Sequence, residues 1–148
     1  LHTLWTLENS GGQETIETTY RDGTVDMLLT SKEKQVHTER RSIPTNSYDV
    51  YTLLMLLRAL PLGEAYATQM NIFTPLTGQL EFITVSVLKQ EEVTTANSSY
   101  PAWVVEVQTG DRRSTIWIGT NAPYPVVKYI DARNGGTYEL TSFETGNK

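Results

Sequence analysis

Residues 48–60 read YDVYTLLMLLRAL, the one strong helical signal in the chain. At about 100° per residue, Tyr48, Val50, Tyr51, Leu53, Leu54, Met55, Leu56, Leu57 and Leu60 spread round the whole circumference. Only Asp49, Thr52, Arg58 and Ala59 interrupt them. A single sheet covers one side of such a rod, so the other side needs a curled part of the same sheet, a second subunit or an apolar ligand. The boundary signals agree with a helix: Asn46 or Ser47 as cap, Asp49 at the positive end and Pro61 as the stop.

On either side of this segment the pattern changes from the helical period to an alternation rich in Thr, Val, Ile and Tyr. Trp103, Val105 and Val107 alternate with Val104 and Glu106, and Ile116 and Ile118 flank Trp117. Turn signals punctuate these runs, among them Arg21-Asp22-Gly23, Thr109-Gly110-Asp111-Arg112 and Asn134-Gly135-Gly136. They divide the chain into strands at residues 3–7, 14–20, 24–30, 35–43, 65–73, 79–92, 102–108, 114–118, 126–131 and 137–142, with a loose tail at 144–148. The pattern predicts a mainly β fold: a strongly curved antiparallel sheet, a half-barrel of about nine or ten strands, enclosing one α-helix. Trp103 and Trp117 fall on neighbouring strands, which predicts a cross-strand aromatic contact.

The 148 residues are the size of one domain, so residues 1–148 read as a single β-rich domain. A net charge of −5 argues against a nucleic-acid partner, and the absence of cysteine excludes disulfides, thiol catalysis and thiolate metal sites. The longest apolar run, residues 53–57, is far short of the ~20 residues that span a bilayer, so the chain reads as not transmembrane. It opens Leu1-His2-Thr3 without a Met, as a trimmed chain would.

Several short motifs, taken in order, resemble a known family: Leu57-Arg58-Ala59-Leu60-Pro61-Leu62, Glu91-Glu92-Val93, Pro101-Ala102-Trp103-Val104-Val105, Ile116-Trp117-Ile118, Pro123-Tyr124-Pro125-Val126-Val127-Lys128 and Tyr138-Glu139-Leu140-Thr141-Ser142. They are similar to an uncharacterised family of exported bacterial β-sheet proteins, over residues 15–142. The resemblance implies secretion to the periplasm, cell surface or exterior. It also implies a sheet like the half-barrel of the bacterial lipoprotein carriers, which holds acyl chains against a helix. It implies no catalytic motif and no cofactor. Where that family carries an acidic residue after the Ile-Trp-Ile strand, this chain has Gly119-Thr120-Asn121-Ala122, so no role for that acid transfers. The opening strands look shortened, which reads as the C-terminal part of a longer protein.

The candidate ligand-binding residues are Tyr51, Leu54, Met55 and Arg58 on the helix, Phe82 and Trp103 on strands, and Tyr124 at the mouth, since ligand pockets are mostly apolar with a few polar anchors. The alternative is a filled core, closed by side chains such as Phe82, Val85, Trp103 and Val105. Arg58 is expected to pair with Asp49 or Glu64, or to extend its tip to water; the third option is a ligand headgroup. Lys32, Lys34, Arg40 and Arg41 read as a solvated face or a protected edge. No catalytic or metal site is predicted. His2 and His37 form no ligand pair, Ser42 and Thr38 lack a nucleophile elbow, and adjacent Glu91 and Glu92 point to opposite faces of a strand. The expectation is a non-enzymatic exported bacterial protein, without cofactor, that binds or carries a hydrophobic ligand such as a lipid or acyl chain. The competing expectation is an interaction or structural module that docks a protein partner, or a second copy as a homodimer, through its apolar surface or sheet edge.

Overall fold

The computed structural model describes residues 2–142, and the tail at 144–148 lies outside them. Within these limits the chain groups into two compact units, residues 2–50 with 71–81 and residues 51–70 with 82–142. The fold is mainly β with one short α-helix, but the expected single sheet is divided in two. Strands β1 (His2–Asn9), β2 (Gly12–Arg21), β3 (Thr24–Thr30) and β4 (Val36–Ser42) form an antiparallel meander. The second sheet contains β5 (Ser47–Asp49), β6 (Ala67–Thr74), β7 (Gln79–Thr94), β8 (Ser99–Thr109), β9 (Arg112–Gly119), β10 (Val126–Ile130) and β11 (Thr137–Glu139), in the order β11-β10-β9-β8-β7-β6-β5. Both orders are linear, so neither sheet closes on itself. Pro44, without a backbone N–H, falls just after β4, and the chain then leaves the meander to pair β5 with β6 in parallel.

In the first unit the period of two decides which side is dry. Register sets Ile16 opposite Leu29, Thr18 opposite Met27 and Tyr20 opposite Val25. Val25 and Met27 pack with Ile43 and Phe73, and the Tyr20 ring meets Phe73 edge-on with centroids 6.3 Å apart. Asp49 is fully buried here and accepts hydrogen bonds from the Tyr20 hydroxyl (2.6 Å) and Thr3 Oγ1 (3.2 Å). On the outward face Arg40 pairs with Asp26 directly across the strands, while Arg41 and Glu39, opposite Val25 and Met27 on the other face, pair with each other and Arg41 donates to the Gly78 carbonyl (2.7 Å). Much of the basic run on β4 is therefore balanced within its own sheet.

The helix is shorter than the helical signal over residues 48–60. Residues 47–49 are strand, Val50–Thr52 a 3-10 turn, and only Leu53–Ala59 form α1. Asp49, expected near a helix terminus, is committed instead to Tyr20 and Thr3. Thr52 occupies the cap position, in place of Asn46 or Ser47, and its side chain makes no capping hydrogen bond. The C-terminus follows the sequence signal: Leu60 before Pro61 is extended, φ −72° and ψ 148°, as a residue preceding proline prefers. Nor is α1 covered all round. Leu57 is its one fully buried residue, while Met55 is 64% exposed and Leu54 37%.

Candidate functional site

In the second unit a β-bulge sets which side chains share a face. Val87 on β7 pairs with Val105 on β8, but Leu88 is an extra residue, so Lys89 pairs with Val104 and Gln90 with Trp103. Strict alternation from Val85 and Val87 would have brought Lys89 to that face. The bulge replaces a cation with an amide. β9 continues the pattern, with Ile118 opposite Trp103 and Trp117 opposite Val104. Trp103 and Trp117 thus occupy opposite faces of the sheet, and the expected contact between them does not form, because residues one register step apart point opposite ways.

The face bearing Gln90, Trp103 and Ile118 forms a cleft with the end of α1. About 520 Å³ in volume, it is lined also by Arg58, Leu60, Leu62, Thr120 and Tyr124. The connection between β9 and β10 forms one wall. Gly119 is required there, because a Cβ at this position would lie 2.9 Å from Pro125 Cδ, and its N–H donates to the Pro125 carbonyl (2.8 Å). Tyr124 takes a left-handed backbone, φ +55°, unusual for a residue with a side chain. Arg58 braces this turn: Nε donates to the Tyr124 carbonyl (2.8 Å) and Nη2 to the Pro123 carbonyl (2.7 Å), with Nη1 3.4 Å from Met55 Sδ. The expected carboxylate partner, Asp49 or Glu64, is replaced by backbone oxygens. A second cleft of about 410 Å³ is lined by Leu54, Val126, Val127, Tyr129, Tyr138 and Leu140, among others. Tyr129 and Tyr138 stack there, centroids 5.8 Å apart, and burial pushes the Tyr129 phenol above its ordinary pKa.

Of the seven predicted residues, Arg58, Trp103 and Tyr124 come together in the larger cleft and Leu54 lines the smaller. Tyr51, Met55 and Phe82 line neither, and Phe82, which the filled-core alternative would have buried with Val85 and Val105, is 57% exposed. Gln90, Ile118 and Thr120 belong to the site but were not predicted. Ile118 was legible from alternation. Gln90 was not, since nothing in the sequence marks Leu88 as a bulge.

The opposite face carries a polar arrangement around Trp117. Its indole N–H donates to Glu91 Oε1 (2.6 Å), Lys89 Nζ lies 2.5 Å from Glu91 Oε2, and Lys128 Nζ stands 5.6 Å from the indole centroid. The Lys89 ammonium, and after it the Trp117 indole, hold the Glu91 carboxyl below the usual carboxylate range. The first unit has its own cleft of about 410 Å³, with Trp5, Ile16, Leu29, His37 and Leu76 among its walls. Glu39, two residues from His37 on β4, is held by Arg41 Nε (2.6 Å). Among the described residues no three His, Asp or Glu side chains are grouped to hold a metal ion, and no helix is long and apolar enough to cross a membrane.

A mainly β chain with a cleft of mixed polar and apolar lining between helix and sheet, walled partly by a braced turn, defines a β-sheet protein with a small-molecule-sized cleft. The chain belongs to the DUF3108 family, described as a protein of unknown function, whose model matches residues 6–141. No curated protein and no solved structure matches it.

Proposed function

We propose that this chain is a non-enzymatic binding protein that takes a hydrophobic molecule, a lipid or acyl chain, into the cleft between α1 and the sheet. The observation that supports this most is the composition and size of that cleft. Leu60, Leu62, Trp103 and Ile118 supply apolar wall, Gln90 and Thr120 supply polar anchors, and about 520 Å³ falls within the ~300–1,000 Å³ range of small-molecule pockets. Export to the periplasm, cell surface or exterior, and a carrier role like that of the half-barrel lipoprotein carriers, are parts of the same proposal and rest on the sequence resemblance. The reading does not require α1 to be enclosed, because the cleft uses only one flank and one end of the helix.

The test is a fluorescence titration with N-phenyl-1-naphthylamine, an uncharged apolar probe that brightens out of water. Saturable enhancement is expected, and Ala59→Trp, which fills the cleft from an exposed position, is expected to weaken it by about tenfold or more. Absence of saturable binding overturns the proposal. A second reading, a module that docks a protein partner or a second copy, is favoured by Met55 and Phe82, which together leave two large apolar side chains mostly in water. It predicts a stable dimer by light scattering and no probe binding.

A further inference from the structure

We infer that the cleft selects an anionic amphiphile: a single apolar chain ending in an oxyanion, carboxylate or phosphate, that docks on Arg58. This rests on the binding reading above and goes beyond it by naming the headgroup.

The argument starts from charge. The chain carries a net charge of −5, yet the lining of its larger cleft contains one formally charged side chain, and that one is a cation. Arg58 has no carboxylate within ion-pair distance among the described residues; its partners are the carbonyls of Pro123 and Tyr124 and the sulfur of Met55. Carbonyl oxygens satisfy N–H donors without neutralising the charge. A guanidinium in a cleft that supplies it no counter-ion is therefore a standing site for an anion.

Donor counting sharpens the inference. Guanidinium has one N–H on Nε and two on each terminal nitrogen. The Nε donor is taken by Tyr124, one Nη2 donor by Pro123 and one Nη1 donor by Met55. One N–H remains on each terminal nitrogen, two donors available to the oxygens of a carboxylate or phosphate. The bonds already made also fix the plane of the group, so little further side-chain freedom is lost when an anion binds. The apolar chain of the ligand would run along Leu60, Trp103 and Ile118, which line the same cleft. The net negative charge of the protein opposes anions in general, so the apolar chain is needed as well as the headgroup.

The experiment is displacement of N-phenyl-1-naphthylamine from the full chain by dodecanoate, dodecyl phosphate and dodecanol, which share one hydrocarbon tail. At least one of the two anions is expected to compete about tenfold or more better than dodecanol. Whichever anion is stronger tells a carboxylate from a phosphate headgroup. Arg58→Gln, which also loosens the braced turn, is expected to bring the ratio of the anion constant to the dodecanol constant close to one, and Arg58→Lys, which keeps the charge but not the fork, to retain part of that ratio. Equal competition by dodecanol and both anions on the unaltered protein overturns the headgroup inference with no variant needed, and leaves the binding reading standing. Failure of the probe itself to bind would instead remove the reading on which the inference rests.

Discussion

Single side chains on the two faces of the second-unit strands do opposite work. Trp103 faces the cleft, whereas Trp117 donates its indole N–H to Glu91 on the far side. Glu91 is held below the usual carboxylate range by Lys89 first and Trp117 second. A carboxyl whose folded pKa is depressed stabilises the fold above its unfolded pKa, and that contribution disappears as pH falls through the folded value. Carboxyl NMR titration is therefore expected to place Glu91 below the ordinary glutamate value. In Trp117→Phe it should rise but stay below it, because Lys89 remains. Titration at or above the ordinary value in the unaltered protein would contradict the arrangement. At this scale the sequence was informative about residue type and poor about partners. Arg58 was identified as the odd cation among apolar neighbours, but its acceptors are main-chain carbonyls of residues 123 and 124, which no side-chain pattern can reveal.

At the scale of elements, the helix shows how pattern and context compete. Its helical signal spans thirteen positions in the sequence, yet strand pairing claims residues 47–49 and a 3-10 turn the next three, leaving seven residues of α-helix. Parallel pairing of Tyr48 with Ile72 and the burial of Asp49 beside Tyr20 outweigh a helix propensity that a few residues supply only weakly. The helix that remains docks through Leu57. Leu57→Ala is accordingly expected to cost about 2–5 kcal/mol in chemical denaturation, and Met55→Ala less than about 0.5 kcal/mol. Similar costs for the two would mean that α1 is covered on both sides, as the apolar run alone had suggested. The bulge at Leu88 is the second case. Alternation gave most of β7 its correct faces, but the one extra residue changes which polar side chain meets Trp103, and both Lys89 and Gln90 are compatible with a strand.

For the molecule as a whole, the alternation of β-branched and aromatic residues with turn signals was enough to predict a mainly β chain, and the positions of most strands follow from it. The division into two sheets was not legible, because strand partners depend on contacts far apart in sequence rather than on local period. Family membership over residues 6–141 leaves the activity open, so the functional claim stands on the helix-and-sheet cleft of the second unit. Its two tryptophans on paired strands, one facing the cleft and one facing away, provide an internal comparison. The most direct measurement is 19F NMR of protein labelled with 5-fluorotryptophan during titration with N-phenyl-1-naphthylamine. The account predicts a saturable shift of the Trp103 resonance while Trp117 stays in place. An unmoved Trp103, or equal shifts at both positions, would contradict it.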